Sequence, residues 1–202
     1  MLKSILKKIM NISYDPYAIA KKYPKNIKIG DSILGKSFRV RVQNMNDSML
    51  TVGDDSILHG MLIYESDAGR ISIGNNTWIG NDTKIYSIKN VTIGNNVMLS
   101  WNVTIYDHNG NPTDYILRRE AFKSVLDNTR KNIPLLSNYD WSHIKSSPIV
   151  IQDDAWIGFN VIIQKGVNIG KGAIISSGSV VTQDIPDYCI GAGNPCRVVK
   201  KI

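Results

Sequence analysis

Cysteines and long apolar runs are both scarce in this chain of 202 residues. The two cysteines, Cys189 and Cys196, lie near the carboxyl end and outside any spaced ligand pattern. A disulfide framework and a cysteine zinc site are therefore not expected. No run of about 18 apolar residues occurs, and residues 1–10 lack the long apolar stretch and cleavage site of a secretion signal. The cytoplasm is the default expectation.

Acidic residues are outnumbered, since 24 Lys and Arg face 17 Asp and Glu and give a formal net charge of +7. Basic residues are not clustered with aromatic residues on one element, so a nucleic-acid partner is not expected. Two interpretations of the charge remain open, a solvated basic surface and attraction of an anionic, nucleotide-bearing cofactor. The hydrophobic content of 43% is typical of a folded globular protein rather than a disordered one.

Aliphatic residues instead recur at every sixth position. Four residues after most of them stands a small or β-branched residue, and Gly, Asn and Asp are common in the places between. One run has no slip, a second has a single two-residue offset, and a weaker run begins at Val52 and Leu58. The two stronger runs are Ile151, Ile157, Ile163, Ile169, Ile175 and Val181, and Ile73, Ile79, Ile85, Ile93, Leu99 and Ile105.

A six-residue period indicates one short strand and one corner per unit. Gly, Asn and Asp tolerate the positive φ that a sharp corner requires. A helix would need apolar spacings of three and four, and a hairpin sheet would not keep this register over so many units. Stacked coils around a shared aliphatic column satisfy the whole pattern.

These units resemble the hexapeptide repeat of the left-handed parallel β-helix acyltransferases, an all-β fold in which three units make one triangular coil. The resemblance covers about residues 50–202. The left hand of the coil is implied by the resemblance alone, because crossover connections are normally right-handed. It also implies a homotrimer with composite sites between subunits.

The remaining segments suggest two divisions of the chain. Residues 1–26 are expected to form an amphipathic helical segment, with Leu2, Ile5, Leu6 and Ile9 opposite lysines. This segment could pack on the β-helix or on a neighbouring subunit, or make peripheral contact with an anionic membrane. Residues 27–202 are expected to form the β-helix domain, with an irregular first coil to about residue 50. The period is lost in an excursion over residues 107–148, which predicts a functional loop with a helix near residues 115–126.

His108 lies at the foot of this excursion, in the string Ile105-Tyr106-Asp107-His108-Asn109-Gly110. In the resembling acetyltransferases a histidine at this place is the general base. A sugar hydroxyl needs such a base as it attacks a thioester, and imidazole titrates in the right range. The resemblance therefore assigns the catalytic role to His108, without a covalent intermediate and without a metal.

The carboxyl-terminal part resembles the coenzyme A end of sugar acetyltransferases. Its two strings are Gly178-Ser179-Val180-Val181-Thr182-Gln183 and Gly191-Ala192-Gly193-Asn194-Pro195-Cys196-Arg197. Gln183 stands where the family often has Lys. Cations suit phosphate oxygens. The residues that this resemblance implies for acetyl-CoA are Gly158, Phe159, Ser177, Thr182, Gln183, Arg197 and Lys200.

The acceptor side matches the family less closely. Gly80 occupies the place of a sugar-contacting Asn in galactoside acetyltransferases, so a simple galactoside or maltose acceptor is in doubt. The string Asp140-Trp141-Ser142-His143 more nearly resembles enzymes of capsule or lipopolysaccharide biosynthesis. The expected acceptor residues are Asn81, Asp82, Trp156, Arg118, Asp140 and His143, with packing at a subunit contact as the alternative for Trp156.

The first hypothesis is an acetyl-CoA-dependent O-acetyltransferase acting on a sugar of a surface polysaccharide or its precursor. The alternative is an N-acetyltransferase acting on an amino sugar, which could be nucleotide-linked, or on a xenobiotic. A β-helix carbonic anhydrase would need three histidines that converge on a metal, whereas His59, His108 and His143 stand in unlike contexts. A non-catalytic solenoid would bind no coenzyme A.

Overall fold

The structure, a computed structural model, describes residues 15–42 and 45–202. Twenty short strands and two helices are present in these ranges. In chain order they are α1 (Ala18–Lys22), β1 (Ile27–Ile29), β2 (Ile33–Leu34), β3 (Arg39–Val42), β4 (Met49–Val52), β5 (Ile57–Leu58), β6 (Met61–Tyr64), β7 (Arg70–Ile73), β8 (Trp78–Ile79), β9 (Lys84–Ser87), β10 (Val91–Ile93), β11 (Met98–Leu99), β12 (Thr104–Tyr106), α2 (Tyr115–Arg130), β13 (Ile149–Ile151), β14 (Trp156–Ile157), β15 (Ile162–Gln164), β16 (Asn168–Ile169), β17 (Ile174–Ile175), β18 (Val180–Val181), β19 (Cys189–Gly193) and β20 (Cys196–Lys201).

The strands form three sheets, which are the faces of a left-handed parallel β-helix. The first face has the order β1-β4-β7-β10-β13-β16, and the second has β2-β5-β8-β11-β14-β17-β19-β20. The third face has the order β3-β6-β9-β12-β15-β18. Each strand pairs in parallel with the strand one coil away, and only β19 and β20 pair antiparallel. The predicted fold class is therefore confirmed.

The aliphatic residues of both predicted runs point into a single core. Every member of the two runs is at most 3% exposed, which is the burial expected of residues on the inner side of short strands. The small and β-branched residues four places later fill the space between neighbouring faces. These buried residues are Thr77, Thr83, Val97, Val103, Ala155, Val161, Val167, Ala173 and Ser179.

The corners owe their shape to Asn, Asp and Gly. Between the first and second faces, Asn76 and Asn96 adopt φ values of 51° and 56°, in the left-handed region that Asn tolerates best after Gly. The preceding residue of each corner accepts a backbone hydrogen bond from the coil before it. The Asn95 Oδ1 atom accepts from Asn75 N at 2.9 Å, and the Asp153 Oδ1 atom accepts from Asn95 N at 2.7 Å. A polar ladder therefore runs along this edge.

The first coil is more regular than the sequence predicts. Strands β1, β2 and β3 pair in register with β4, β5 and β6, so the expectation of an irregular coil to about residue 50 is wrong. Its inward residues Ile27, Leu34 and Phe38 are buried although they do not keep the six-residue spacing. The apolar residues of the predicted amino-terminal helix, from Leu2 to Ile9, lie outside the described residues. Neither described helix combines the length and apolarity needed to cross a bilayer.

The excursion leaves the β-helix after β12 and returns at β13. Its foot is closed by an antiparallel bridge between His108 and Ser146, with Asn109 N donating to Lys145 O at 3.0 Å. Helix α2 begins at the predicted residue but extends to Arg130, and none of its residues is buried. The helix of the excursion therefore lies on the surface of the molecule.

Candidate active site

Asp107 fixes the backbone from which the excursion departs. Its carboxylate is fully buried and accepts hydrogen bonds from Ser87 Oγ at 2.7 Å, Ile88 N at 3.0 Å and Lys89 N at 3.0 Å. These groups belong to the corner of the preceding coil, so the carboxylate ties two coils together. The next residue, His108, thereby has a defined place at the edge of the third face.

The imidazole of His108 lies in an aromatic enclosure and is 2% exposed as a residue. The ring of Tyr106 stacks on it with centroids 4.2 Å apart, and Trp141 meets it edge-on at 5.7 Å. Its Nδ1 atom accepts a hydrogen bond from Gly110 N at 3.1 Å. Its Nε2 atom lies 3.2 Å from Glu65 Oε2, a distance that fits an ion pair, although the atom makes no well-aligned hydrogen bond with any described residue.

Glu65 is a site residue that the sequence argument missed. The third-face register aligns Ile63 with Tyr86 and Tyr86 with Tyr106, and Glu65 and His108 each follow this row by two residues. The two side chains therefore share one edge of the β-helix although 43 positions separate them in the chain. Extending the repeat register back to this coil would have identified a carboxylate in line with the histidine.

Tyr106 connects the imidazole with this carboxylate. Its ring stacks on His108, and it lines the same pocket as Glu65. Burial, followed by the charge of Glu65, raises the pKa of the Tyr106 phenol well above its usual range. The hydroxyl therefore keeps its proton and remains a hydrogen-bond donor.

A pocket of about 960 Å³ opens beside this group. Glu65, Tyr106 and Gly110 line it on the β-helix side, and the first half of α2 forms another wall. The Tyr139 hydroxyl is a buried donor nearby that has no hydrogen-bond partner among the described residues. Aromatic surface with a few unsatisfied polar groups is suited to a sugar ring. The remaining lining residues are Asn111, Tyr115, Arg118, Arg119, Ala121, Phe122, Lys123, Val125, Leu135, Leu136 and Trp141.

A smaller pocket of about 460 Å³ lies on the outer surface of the third face. It is lined by His108 and Asn109 together with outward residues of β12 and β15, among them Thr104 and Ile162. Tyr106 borders this pocket and the larger one. The stacked tyrosine therefore lies between the two cavities, and the histidine borders the smaller one.

The structure separates the three acceptor residues predicted in the excursion. Arg118 lines the large pocket, where its guanidinium donates to Pro112 O at 2.9 Å. Asp140 and His143 contact each other at 3.5 Å and line a different pocket of about 240 Å³. Hydrogen bonds from Ser142, followed by the charge of His143, lower the pKa of Asp140. Within one chain, only Arg118 of the three borders the pocket that contains Glu65.

Asn81 and Asp82 lie at the opposite edge of the third face. They form the corner before β9, whereas His108 follows β12 at the far end of that face. The Asn81 Oδ1 atom accepts a hydrogen bond from Ser37 Oγ at 2.7 Å. One chain therefore does not bring this pair of residues together with His108.

The residues expected at the pantetheine arm occupy neighbouring coils. Phe159 and Ser177 are exposed at the corner between the second and third faces, and Gly178 N donates to Phe159 O at 2.9 Å. A Cβ atom on Gly158 would lie 2.7 Å from Ser177 N, so only Gly fits beside this corner. The Gly158 N–H already donates to Ile175 O at 2.8 Å, which leaves its carbonyl as the group to face a ligand.

The other residues expected for the cofactor lie towards the carboxyl end. Thr182 and Gln183 directly follow β18, and both are exposed. Arg197 and Lys200 lie on β20 at the edge of the second face, where the Arg197 guanidinium donates to Cys196 O at 2.8 Å. Trp156 points outward from β14 and is 50% exposed.

The three histidines occupy separate environments. His59 Nδ1 lies 3.1 Å from Ser37 Oγ, His108 is enclosed at the foot of the excursion, and His143 pairs with Asp140. Over residues 15–42 and 45–202, no three His, Cys, Asp or Glu side chains are grouped so that they could hold a metal ion.

Comparison with known proteins identifies the repeat. The bacterial transferase hexapeptide model (six repeats) matches residues 148–183, and the hexapeptide repeat of succinyl-transferase matches residues 70–107. Galactoside O-acetyltransferase of Escherichia coli is 32% identical over 158 residues, which are 78% of this chain and 66% of that enzyme. A 2,3,4,5-tetrahydropyridine-2,6-dicarboxylate N-acetyltransferase of Staphylococcus aureus is 51% identical over 55 residues, 27% of this chain and 23% of that enzyme.

Solved structures agree with the sequence relatives. A maltose O-acetyltransferase from Clostridium difficile is 30% identical, with a TM-score of 0.54 over 99% of this chain and 83% of that one. AntD, an N-acyltransferase from Bacillus cereus solved with coenzyme A, is 17% identical and has a TM-score of 0.65. The superposition covers 93% of this chain and 89% of AntD. At this identity the likeness concerns the fold alone.

Proposed function

Because this chain belongs to the hexapeptide-repeat acetyltransferases, we propose that it transfers the acetyl group of acetyl-CoA to a hydroxyl of a sugar acceptor. The observation that carries the proposal is the enclosed imidazole of His108 at the foot of the excursion, which lines the small pocket and stacks on Tyr106 at the edge of the large one. The acceptor class proposed is a sugar of a surface polysaccharide or its precursor. The aromatic and cationic lining of the large pocket supports a polar ring with anionic substituents.

The reaction needs a base because a neutral hydroxyl is a weak nucleophile. In the proposed ternary complex the acceptor lies in the large pocket, and His108 takes the hydroxyl proton as the oxygen attacks the thioester carbonyl. The leaving thiolate of coenzyme A then takes that proton from the imidazolium. A direct transfer of this kind requires no covalent acetyl-enzyme.

In the proposed complex, acetyl-CoA binds along the second and third faces. Phe159, Ser177 and the Gly158 carbonyl would meet the pantetheine arm, and Thr182 and Gln183 would lie nearer the nucleotide. Arg197 and Lys200 supply fixed positive charge at the end of the molecule, and phosphate oxygens favour such charge. Lys165 lines the small pocket and adds a further cation near His108.

The direct test is acetyl transfer from labelled acetyl-CoA to a panel of sugars, nucleotide sugars and lipid-linked precursors. We expect an alkali-labile ester in the product. His108→Ala should lower turnover by roughly 10² to 10⁴ while coenzyme A affinity, measured by calorimetry, stays close to that of the wild type. Full activity of His108→Ala would refute the role of the imidazole, and equal loss of coenzyme A binding would indicate a structural role.

An N-acetyltransferase is the second candidate. The 51% identity with the tetrahydropyridine-dicarboxylate N-acetyltransferase favours it, although that match spans 55 residues. The same fold and base would serve an amine, which attacks the thioester as the free base. An alkali-stable amide formed from an amino sugar, with no ester from any hydroxyl acceptor, would establish this candidate in place of the first.

The proposed enzyme acts as a homotrimer with its sites between subunits. Outward residues of the second face form an apolar row in strand register, and Met98 and Trp156 are each 50% exposed. Such a row is typical of a surface that another subunit covers. A neighbouring subunit would also bring a second corner with Asn81 and Asp82 towards His108. The full row is Ile33, Ile57, Trp78, Met98, Trp156, Ile174 and Ile190.

A further inference from the structure

The two ring nitrogens of His108 have different partners, and this difference determines where the ring carries its proton. The Nδ1 atom accepts a hydrogen bond from Gly110 N at 3.1 Å, so it presents a lone pair. In a neutral imidazole the proton then belongs to Nε2. The side chain of His108 is 0% exposed, so water does not reach this N–H, and the nearest acceptor is Glu65 Oε2 at 3.2 Å.

Glu65 is itself held in place. Its side chain is 14% exposed, it lines a pocket together with Tyr106, and its Oε1 atom lies 3.8 Å from the guanidinium of Arg41. The Nε2 atom and the carboxylate are at ion-pair distance but do not form a well-aligned hydrogen bond. Hydrogen bonds of catalytic groups often tighten only when substrates exclude water.

We propose that Glu65 is a positioning residue that fixes the tautomer of His108, and that Nδ1 is the nitrogen that takes the acceptor proton. The inference rests on the proposed function, and it adds which atom reacts and which residue directs it. As in other carboxylate–imidazole pairs, the carboxylate orients the ring and stabilises the imidazolium. A proton on Nδ1 of the resting ring would block the reaction.

Gly110, whose N–H bonds to Nδ1, lies at the edge of the large pocket, whereas His108 itself lines the small one. Gly110 lines the large pocket together with Glu65 and Tyr106, and its φ of 72° is a conformation that glycine adopts without strain. An acceptor hydroxyl in this pocket would take the place of the Gly110 N–H at the Nδ1 lone pair. The O–H bond then breaks towards Nδ1, the oxygen bonds to the thioester carbon, the C–S bond breaks, and the thiolate recovers the proton from Nδ1.

The tautomer can be measured without activity, by ¹⁵N NMR of protein labelled at histidine. His59→Gln and His143→Gln identify the His108 signals by subtraction. In the wild type at a pH where the ring is neutral, we expect the proton on Nε2 and an unprotonated Nδ1. A wild-type ring that carries its proton on Nδ1 would overturn the inference, whether or not His108 proves to be the base.

Substitution of Glu65 tests the role of the carboxylate. Glu65→Gln should lose the single tautomer and lower kcat by roughly 10² or more, because a neutral amide neither orients nor stabilises the imidazolium. The KM for acetyl-CoA should change little, and Glu65→Asp should recover part of the rate. Glu120→Gln, the same change at the only other glutamate of the chain, should leave the His108 spectrum and the rate unchanged. Wild-type rate and tautomer in Glu65→Gln would remove Glu65 from the mechanism.

If His108→Ala is fully active while the NMR shows the expected tautomer, the proposed base fails and the pairing survives as structure only. If His108→Ala is inactive while the wild-type proton lies on Nδ1, the base stands and the assignment to Nδ1 fails. The two measurements therefore separate the failure of one proposal from the failure of the other.

Discussion

A buried carboxylate with three hydrogen-bond donors is the residue-scale feature that best explains the position of His108. Asp107 accepts from Ser87 Oγ, Ile88 N and Lys89 N, and its carboxylate is fully buried. Hydrogen bonds to a charged group are stronger than neutral ones, and a buried donor left unpaired costs about 1–3 kcal/mol. The corner and the base therefore depend on the same side chain.

Asp107→Asn should destabilise the protein by about 2–4 kcal/mol. The NH₂ group of the asparagine would face groups that are themselves hydrogen-bond donors, so at least one of them would lose its acceptor. Urea unfolding measures the change. The matched control is Asp184→Asn at an exposed corner, where the carboxylate accepts a single bond from Asn168 N at 2.8 Å. We expect that control to unfold close to the wild type, and equal midpoints for the two variants would contradict this account of Asp107.

The candidate site was predictable from the sequence only in part. His108 is identified by its place directly after a repeat unit, since the point at which a period ends is visible in the sequence. Glu65 lies in a coil whose corner at His59 and Gly60 is two residues shorter than the matching corner of the next coil. The six-residue spacing therefore breaks at this corner, and the sequence does not show directly which residues of the next coils align with Glu65. Asp140 and His143 lie on either side of Trp141 in the chain, but the path of the excursion carries them to another pocket.

At the scale of elements, helix α2 is the wall of the large pocket that the β-helix does not supply. None of its residues is buried, so local interactions rather than core packing maintain it. Asp114 caps its first turn, accepting from Ile116 N at 2.7 Å and Leu117 N at 3.0 Å. Capping of this kind satisfies amide groups that have no partner within the helix.

Asp114→Ala should destabilise the start of α2 by about 1 kcal/mol. Hydrogen exchange should then accelerate over residues 115–119, and the KM for the acceptor should rise more than the KM for acetyl-CoA, because α2 lines the large pocket but not the small pocket beside His108. Asp127→Ala, on the same helix but far from its first turn, is the control. Equal protection of residues 115–119 in both variants would show that the cap does not hold the helix.

The strands were more predictable than the excursion for a physical reason. Each β-helix residue repeats the environment of a residue one coil away, so burial appears as a period that the sequence displays directly. The helix in the excursion has no such neighbour, and its end was predicted at Leu126 whereas it continues to Arg130. The first coil was also misjudged, because unequal corners break the spacing of Ile27, Leu34 and Phe38 while leaving them buried.

At the scale of the whole molecule, the apolar row on the second face is the feature that a single chain does not explain. Its residues lie on outward positions, where an isolated β-helix would carry polar side chains, as the first face does with Thr51 and Ser72. Exposed apolar rows of this length mark contact surfaces. An assembly of three chains of 22.5 kDa each would cover them.

Met98→Glu places a charge at the centre of this row, between Trp78 and Trp156. Burial of an unpaired carboxylate is costly, so the variant should elute as a single chain of 22.5 kDa in size-exclusion chromatography with light scattering, while the wild type elutes at three times that mass. Thr51→Glu, an outward change on the first face, should remain trimeric. Circular dichroism and thermal unfolding verify that both variants are folded.

A monomeric wild type, or a trimeric Met98→Glu, would show that this face is not the subunit contact. Because the proposed site lies between subunits, the monomeric variant should also lose nearly all acetyl transfer.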